Sequence, residues 1–147
     1  MNRFFRLSPV LRARKAQEDA AKGAVIQSRA QIKDAEDLVR RKRLDLVGSE
    51  APTEGSARAI VAGLVARQSL AGALMSAQRM VTEAEDLERE RMAVLAEAAK
   101  RRRAVEMLGE RHAEMVRAND LRKDQADLDE IAVTTKARNA ARGGGAE

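Results

Sequence analysis

The chain has 147 residues, a formal net charge of +5 and 35% charged side chains, but only two Phe and neither Tyr nor Trp. A compact core needs large side chains, so this composition excludes a globule packed on aromatic residues and is typical of a long helix or coiled coil. The chain has no cysteine, which excludes disulfides, thiol chemistry and zinc sites of the Cys type and fits a reducing compartment.

The N-terminal stretch MNRFFRLSPVLRARKAQ does not have the apolar core or cleavage site of a signal peptide, because Arg12 and Arg14 interrupt it. The most apolar window, residues 59–75, contains Arg67 and falls short of the roughly 20 residues needed to cross a bilayer. The sequence therefore predicts a cytoplasmic protein without a membrane span.

A first helix is predicted over about residues 7–47, because a heptad pattern of steps of four and three runs through this stretch. Ser8 is expected to be the N-cap, with Pro9 at the first helical position, where a missing N–H costs nothing. The predicted seam consists of Leu7, Leu11, Arg14, Glu18, Ala21, Val25, Ser28, Ile32, Ala35, Val39, Lys42 and Leu46.

The stretch GSEAPTEGS at residues 48–56 combines glycine, proline, serine and threonine, which end one helix and cap the next. Since this connection is short, the two helices are expected to pair as an antiparallel hairpin. The predicted fold class is all-α, with a single coiled-coil domain over residues 1–142. Residues 143–147 begin with three glycines and are expected to form a disordered tail.

A second helix is predicted over about residues 57–139, and Gly109 is a candidate break. Its heptad frame is expected to slip between Val81 and Leu87, and again between Met115 and Leu121. The predicted seam consists of Ile60, Leu64, Arg67, Ala71, Leu74, Gln78 and Val81, followed by Ala84, Leu87, Arg91, Val94, Ala98, Arg101, Val105, Leu108, His112 and Met115.

Catalysis needs a positioned acid, base, nucleophile or metal. The chain has one histidine, no cysteine and no glycine-rich phosphate loop, so no enzymatic activity, cofactor, metal site or small-molecule substrate is expected. His112 falls on the predicted seam and is interpreted as a tolerated polar seam residue without a functional role.

Two basic runs, RRKR at residues 40–43 and KRRR at 100–103, could contact phosphates. No aromatic residues accompany them to stack bases, so a solvated helix face is the favoured interpretation. Nucleic acid is therefore the less favoured partner. Phosphate binding would collapse steeply with salt, whereas apolar docking would survive it.

An apolar stretch at the start of the second helix is wider than a two-stranded seam requires. It is either a thicker contact within the hairpin or a docking surface for another protein. Gly63 and Gly72 within it suggest close packing, since each costs roughly 1 kcal/mol relative to Ala. The candidate docking residues are Ile60, Val61, Leu64, Val65 and Met75.

The beginning FRLSPVLRARKAQEDAAKGAV and the ending ERHAEMVRANDLRKDQADLDEIAVTTKAR together resemble the flagellar export protein FliJ family. Members typically end in a charged helix of the kind Lys/Gln-x-x-x-Asp-Glu, followed by small and basic residues. The resemblance spans nearly the whole chain in length and layout. The matching positions are Lys123, Gln125, Asp127, Leu128, Asp129, Glu130, Lys136 and Arg138.

This resemblance implies an antiparallel two-helix coiled coil similar to the γ stalk of rotary ATPases, acting as a non-enzymatic part of the flagellar type III export apparatus. The implied partners are the hexameric export ATPase, the cytoplasmic domain of the export gate, and export chaperones. The implied location is the cytoplasm, peripheral to the inner membrane at the flagellar base. The related stalk proteins of virulence-type secretion systems and an unrelated basic coiled-coil scaffold remain the alternatives.

The charged ending is the candidate contact with the ATPase. Leu121, Leu128 and Ala132 are expected to hold the helix to its partner, while the charged side chains project outward. The family's gate contact lies nearer the turn, so the apolar residues there are the candidate; family members often carry aromatic residues in this region, and this chain has none. The residues expected to bind the ATPase are Asp127, Asp129, Glu130, Lys136 and Arg138.

Overall fold

The computed structural model describes residues 4–50 and 53–143 of the chain. Within them it contains two helices, α1 at Ser8–Gly48 and α2 at Ala57–Gly143, and no strand. Gly143, which was assigned to the tail, is the last residue of α2, and the rest of the predicted tail, residues 144–147, lies outside the described residues.

The ends of both helices are defined by backbone hydrogen bonds. The Leu11 N–H donates to the Leu7 carbonyl at 2.9 Å, so the cap position of α1 falls on Leu7 and not on Ser8 as expected. Ser56 caps α2, because its carbonyl and its hydroxyl accept from the Ala59 N–H at 2.9 and 3.3 Å. Gly55 precedes this cap with φ of 135°, a conformation that side chains disfavour.

The two helices pack against each other as an antiparallel hairpin, which confirms the predicted fold class. Ala24 of α1 accepts a hydrogen bond from Arg91 of α2 at 3.0 Å, and just after the end of α1 the carbonyl of Ser49 accepts one from Arg67 at 3.2 Å. Because the partners run backward on α2 as residue numbers rise on α1, the helices point in opposite directions.

Two compact units divide the chain, one formed by Arg14–Arg101 and the other by the described parts of Met1–Ala13 and Arg102–Glu147. In the first unit, the predicted seam of α1 is confirmed: Glu18, Ala21, Val25, Ser28 and Ala35 are the buried residues of this helix. Small and polar residues dominate this list because a two-helix contact buries only a narrow stripe of each helix.

The predicted seam of α2 agrees with the observed one at most positions, such as Ala71, Leu74 and Arg91, and departs from it at others. Leu64 is 54% exposed and Val94 62% exposed, although both were predicted to face α1. The residues that the hairpin covers at least partly in this unit are Ile60, Gly63, Leu70, Ala71, Ala73, Leu74, Ala77, Val81, Ala84, Leu87, Glu88, Arg91, Leu95, Ala98 and Ala99.

From Leu70 to Ala98 a regular path runs through these positions in alternating steps of four and three, so the slip predicted between Val81 and Leu87 is wrong. The prediction placed Leu64 and Gln78 on the seam. The observed seam instead uses small residues such as Gly63 and Ala77, which allow the helix backbones to approach closely.

In the second unit the half-buried positions continue the same alternation, and the predicted seam residues Leu108 and Met115 are exposed. The covered positions end at Asp120, so the slip predicted between Met115 and Leu121 stays a prediction. The helix does not break at Gly109, since α2 runs without interruption to Gly143. A Cβ added at Gly109 would lie 3.3 Å from Phe5 Cε1, so the glycine leaves room for this ring. A residue read as a breaker is a packing position.

Candidate partner-binding surfaces

The charged ending, defined here as residues 121–143, is exposed at every position. Its large apolar side chains, among them Leu121 and Ile131, are 60–68% exposed. The expectation that Leu121, Leu128 and Ala132 hold the helix to its partner within the chain is therefore wrong. The physical reason is length, since α1 has 41 residues and α2 has 87, so α1 cannot cover all of α2.

The five residues predicted to bind the ATPase all lie in this exposed ending, on α2. None of them forms an ion pair with any other residue in the described ranges 4–50 and 53–143. Their charges are therefore available to a partner. The predicted residues are Asp127, Asp129, Glu130, Lys136 and Arg138.

Farther up α2, charged residues of the same unit are paired along the helix. Arg103 donates to Glu106 Oε2 and to Glu110 Oε1, both at 2.9 Å, and Arg102 donates to the same Glu106 oxygen at 2.7 Å. The hydrogen bond from Arg103, acting against desolvation, holds the pKa of the Glu106 carboxyl below its ordinary value. This part of α2 satisfies its own charges, unlike the charged ending.

The two basic runs are engaged in similar local pairs. In the run at 100–103, Arg101 donates to Glu97 at 3.1 Å, and Arg102 and Arg103 bind Glu106. In the run at 40–43, Arg40 lies 3.2 Å from Asp37. Such pairs are typical of a solvated helix face, and they weaken the phosphate-binding interpretation of both runs.

The apolar face, defined here as Val61, Leu64, Val65 and Met75, is 54–62% exposed in the unit formed by residues 14–101. Ile60, the fifth predicted docking residue, is half-buried on the seam, so the structure separates it from the other four. At about 100° per residue, the apolar face lies on the side of α2 opposite the seam residues Leu70 and Ala77.

Gly72 lies on the same side of α2 as the apolar face, and a Cβ added to it would meet no atom within 4 Å. The close packing that the sequence suggested at this glycine is therefore not a contact within the chain. A glycine beside exposed apolar side chains leaves room for another backbone to approach.

By length and composition, α2 contains an 18-residue window that could cross a membrane, with a mean hydropathy of 1.4 and no part of it buried. The apolar stretch at residues 59–75 was predicted not to span. Its Arg67 donates a hydrogen bond to the carbonyl of Ser49, which ties this stretch to the turn of the hairpin.

Two contacts to α2 were not anticipated from the sequence. Arg91 donates to the carbonyl of Ala24 at 3.0 Å and to the fully buried hydroxyl of Ser28 at 2.8 Å. In the other unit, the Phe5 and His112 rings lie 5.7 Å apart between centroids. Ser28, Arg91 and His112 fall on the predicted seams, so polar seam positions were the available signal.

No group of three or more His, Cys, Asp or Glu side chains among the described residues could hold a metal ion. The apolar face and the charged ending are exposed surfaces of a kind that suits protein contacts.

A family model described as flagellar FliJ protein matches residues 3–141 of the chain. No curated protein and no solved structure matches it. Among the alternatives that the sequence left open, the match selects the flagellar family over the virulence-type relatives.

Proposed function

The chain belongs to the flagellar FliJ family and is thus a component of the flagellar export apparatus, and from this premise we propose that it links two parts of that apparatus. The charged ending binds the hexameric export ATPase, and the apolar face binds the cytoplasmic domain of the export gate. In this arrangement the chain lies on the cytoplasmic side of the inner membrane at the flagellar base. We assign no surface to the escort of export chaperones, the further role that the resemblance implies.

The observation that carries the ATPase contact is the exposure of all 23 residues of the charged ending, with no ion pair for its predicted binding residues among the described residues. An exposed helix end with unpaired charges of both signs suits ionic recognition of pore loops in a ring. Ionic contacts of this kind set association rates and specificity, and they weaken with salt.

The ATPase contact is tested by ATP hydrolysis with the flagellar export ATPase at moderate salt. We expect the unchanged chain to stimulate hydrolysis, and the triple variant Asp127→Asn, Asp129→Asn, Glu130→Gln to stimulate less at equal helicity. A matched control removes three exposed acids elsewhere on α2 through Glu83→Gln, Glu85→Gln and Asp86→Asn. Equal stimulation by the two triple variants would refute the ATPase contact.

The gate contact rests on the exposed apolar face and the open space above Gly72. Val65→Thr and Met75→Gln replace apolar atoms that the hairpin does not cover, so we expect both variants to fold normally and to bind the gate domain more weakly. Val94→Thr is the matched control, since Val94 is equally exposed on the same helix. Weakening by the control to the same extent would contradict a specific gate contact.

A further inference from the structure

Three acid–base pairs in the charged ending lie on common sides of α2. The pairs are Asp129 with Lys136, Asp127 with Arg138, and Asp124 with Arg142, separated by seven, eleven and eighteen residues. At about 3.6 residues per turn, these separations come to about two, three and five whole turns. Each acid and its base therefore lie along one line on the helix surface.

The three pairs do not close within the helix. Seven residues correspond to about 10 Å of rise, which Arg103 spans to reach Glu110 elsewhere on α2, but Asp129 and Lys136 form no such pair. Eleven and eighteen residues are too far apart for any pair to close along one helix. All six side chains are exposed, and none forms an ion pair with any residue in the described ranges. The ending therefore carries matched charges that a second helix can satisfy.

The midpoints of the three pairs nearly coincide. Two fall between Ala132 and Val133, and the third falls on Val133. Consider two antiparallel helices related by a two-fold axis that passes through this point and is perpendicular to both. The axis reverses the chain direction, and side chains on one side of the first helix meet side chains on the same side of the second. Asp129 of one copy then faces Lys136 of the second copy, and the other two pairs follow in the same register.

We propose that the charged ending binds a second copy of this chain, forming an antiparallel two-fold pair centred near Val133. A parallel pair would set Asp127 against Asp127 and Lys136 against Lys136, which repel. Antiparallel pairing satisfies every acid–base pair twice.

An apolar stripe lies between the two charged flanks. Asp129 and Lys136 lie on one side of Leu128 and Ala132, and Asp127 and Arg138 lie on the other. This is the arrangement of a coiled-coil seam, in which flanking charges choose the orientation of the partner. Because the stripe also contains Thr135, its apolar area is small, so charge governs the pairing and salt weakens it.

Self-pairing covers residues that we propose for the export ATPase, such as Asp127 and Lys136. The two contacts are therefore mutually exclusive. In a dimer of this chain, the surface proposed to bind the ATPase is covered by the second copy. The pairing is a property of the chain alone, so its test needs no ATPase, and its failure leaves the ATPase contact standing.

Disulfide trapping tests the register directly, because the natural chain has no cysteine. Gln125→Cys and Asn139→Cys place single thiols on the stripe side, with their midpoint at residue 132. Mixed variants of different mass should oxidise mainly to the 125–139 heterodimer. Ala137→Cys points to the opposite side and is the control. Predominant homodimers, or no excess over the control, would overturn the proposal.

Charge reversal gives an independent test by sedimentation velocity at about 0.05 M and about 0.5 M salt. The unchanged chain should sediment as a dimer at low salt and shift toward monomer at high salt. Asp127→Lys with Asp129→Lys, and separately Lys136→Glu with Arg138→Glu, should each abolish the dimer, and mixing the two double variants should restore it. A monomer at low salt, or variants that do not rescue each other, would refute the pairing.

Discussion

Arg91 of α2 donates a 2.8 Å hydrogen bond to the hydroxyl of Ser28 on α1, a residue with 0% exposure. The Ser28 hydroxyl lies 3.1 Å from the carbonyl of Ala24, which Arg91 also contacts at 3.0 Å. This cluster joins the two helices at one level of the unit formed by residues 14–101. A polar group at a single seam level fixes the register of a helix pair, because any shift leaves it without partners.

We expect Arg91→Ala to lower the free energy of unfolding by about 2 kcal/mol, since it removes two charged hydrogen bonds from a covered site. Arg89→Ala is the matched control: Arg89 is an exposed arginine two residues away that pairs with Asp86 on its own helix, and its loss should cost less than about 0.5 kcal/mol. Urea denaturation followed by circular dichroism measures both. Equal effects would show that the cluster does not stabilise the hairpin.

The seam frame of α2 is tested by comparing two leucines six residues apart. Leu70 is half-buried toward α1 and Leu64 is exposed. We expect Leu70→Ala to destabilise the chain by about 1–2 kcal/mol, less than a fully buried leucine would, and Leu64→Ala by less than about 0.5 kcal/mol. Thermal unfolding of the two variants decides between the observed and the predicted frame, and the opposite order would support the predicted one.

Two glycines of α2 should respond differently to alanine. Gly72 has open space around an added Cβ, so Gly72→Ala should stabilise the chain by about 1 kcal/mol through helix propensity alone. At Gly109 the added Cβ would press on the Phe5 ring at 3.3 Å, so Gly109→Ala should gain less or lose stability.

A double-mutant cycle separates these effects at Gly109. In a Phe5→Ala background the contact is gone, so Gly109→Ala should recover the gain of about 1 kcal/mol seen at Gly72. Urea denaturation of the four variants gives the coupling energy. No coupling between the two positions would contradict the contact between the Phe5 ring and Gly109.

The hydrogen bond from Arg103 should be visible in the titration of Glu106. Because the pKa of this carboxyl is lowered in the folded chain, its contribution to stability is present above the unfolded pKa and is lost as the pH falls through the folded pKa. We expect Arg103→Gln to raise the pKa of Glu106 toward its ordinary value, measured by carbon NMR of the carboxyl group. Arg111→Gln is the control, because Arg111 is an exposed arginine that forms no ion pair with Glu106.

The seam of α1 could be predicted from the sequence because α1 has a single apolar stripe. Its polar seam residues alternate with small or apolar ones such as Ala21 and Val25, which mark the stripe. The frame of α2 was not readable in the same way. Val61, Leu64 and Val65 are as apolar as the observed seam residues but lie on the outer side of α2. When a helix has two apolar stripes, periodicity alone does not tell which of them packs against α1 and which is exposed.

Composition and periodicity by themselves determined that this chain is a helical hairpin with a short turn, because few aromatic residues, many charges and a 3.5-residue repeat are compatible with little else. The two ends of the chain carried enough pattern to identify its family. Tertiary structure decided which face of α2 meets α1, that Gly109 holds a ring, and that Arg91 reaches Ser28. Each of these features depends on which residues elsewhere in the chain lie opposite a given position of α2. Packing between residues far apart in the sequence determines this, and no local run of residues does.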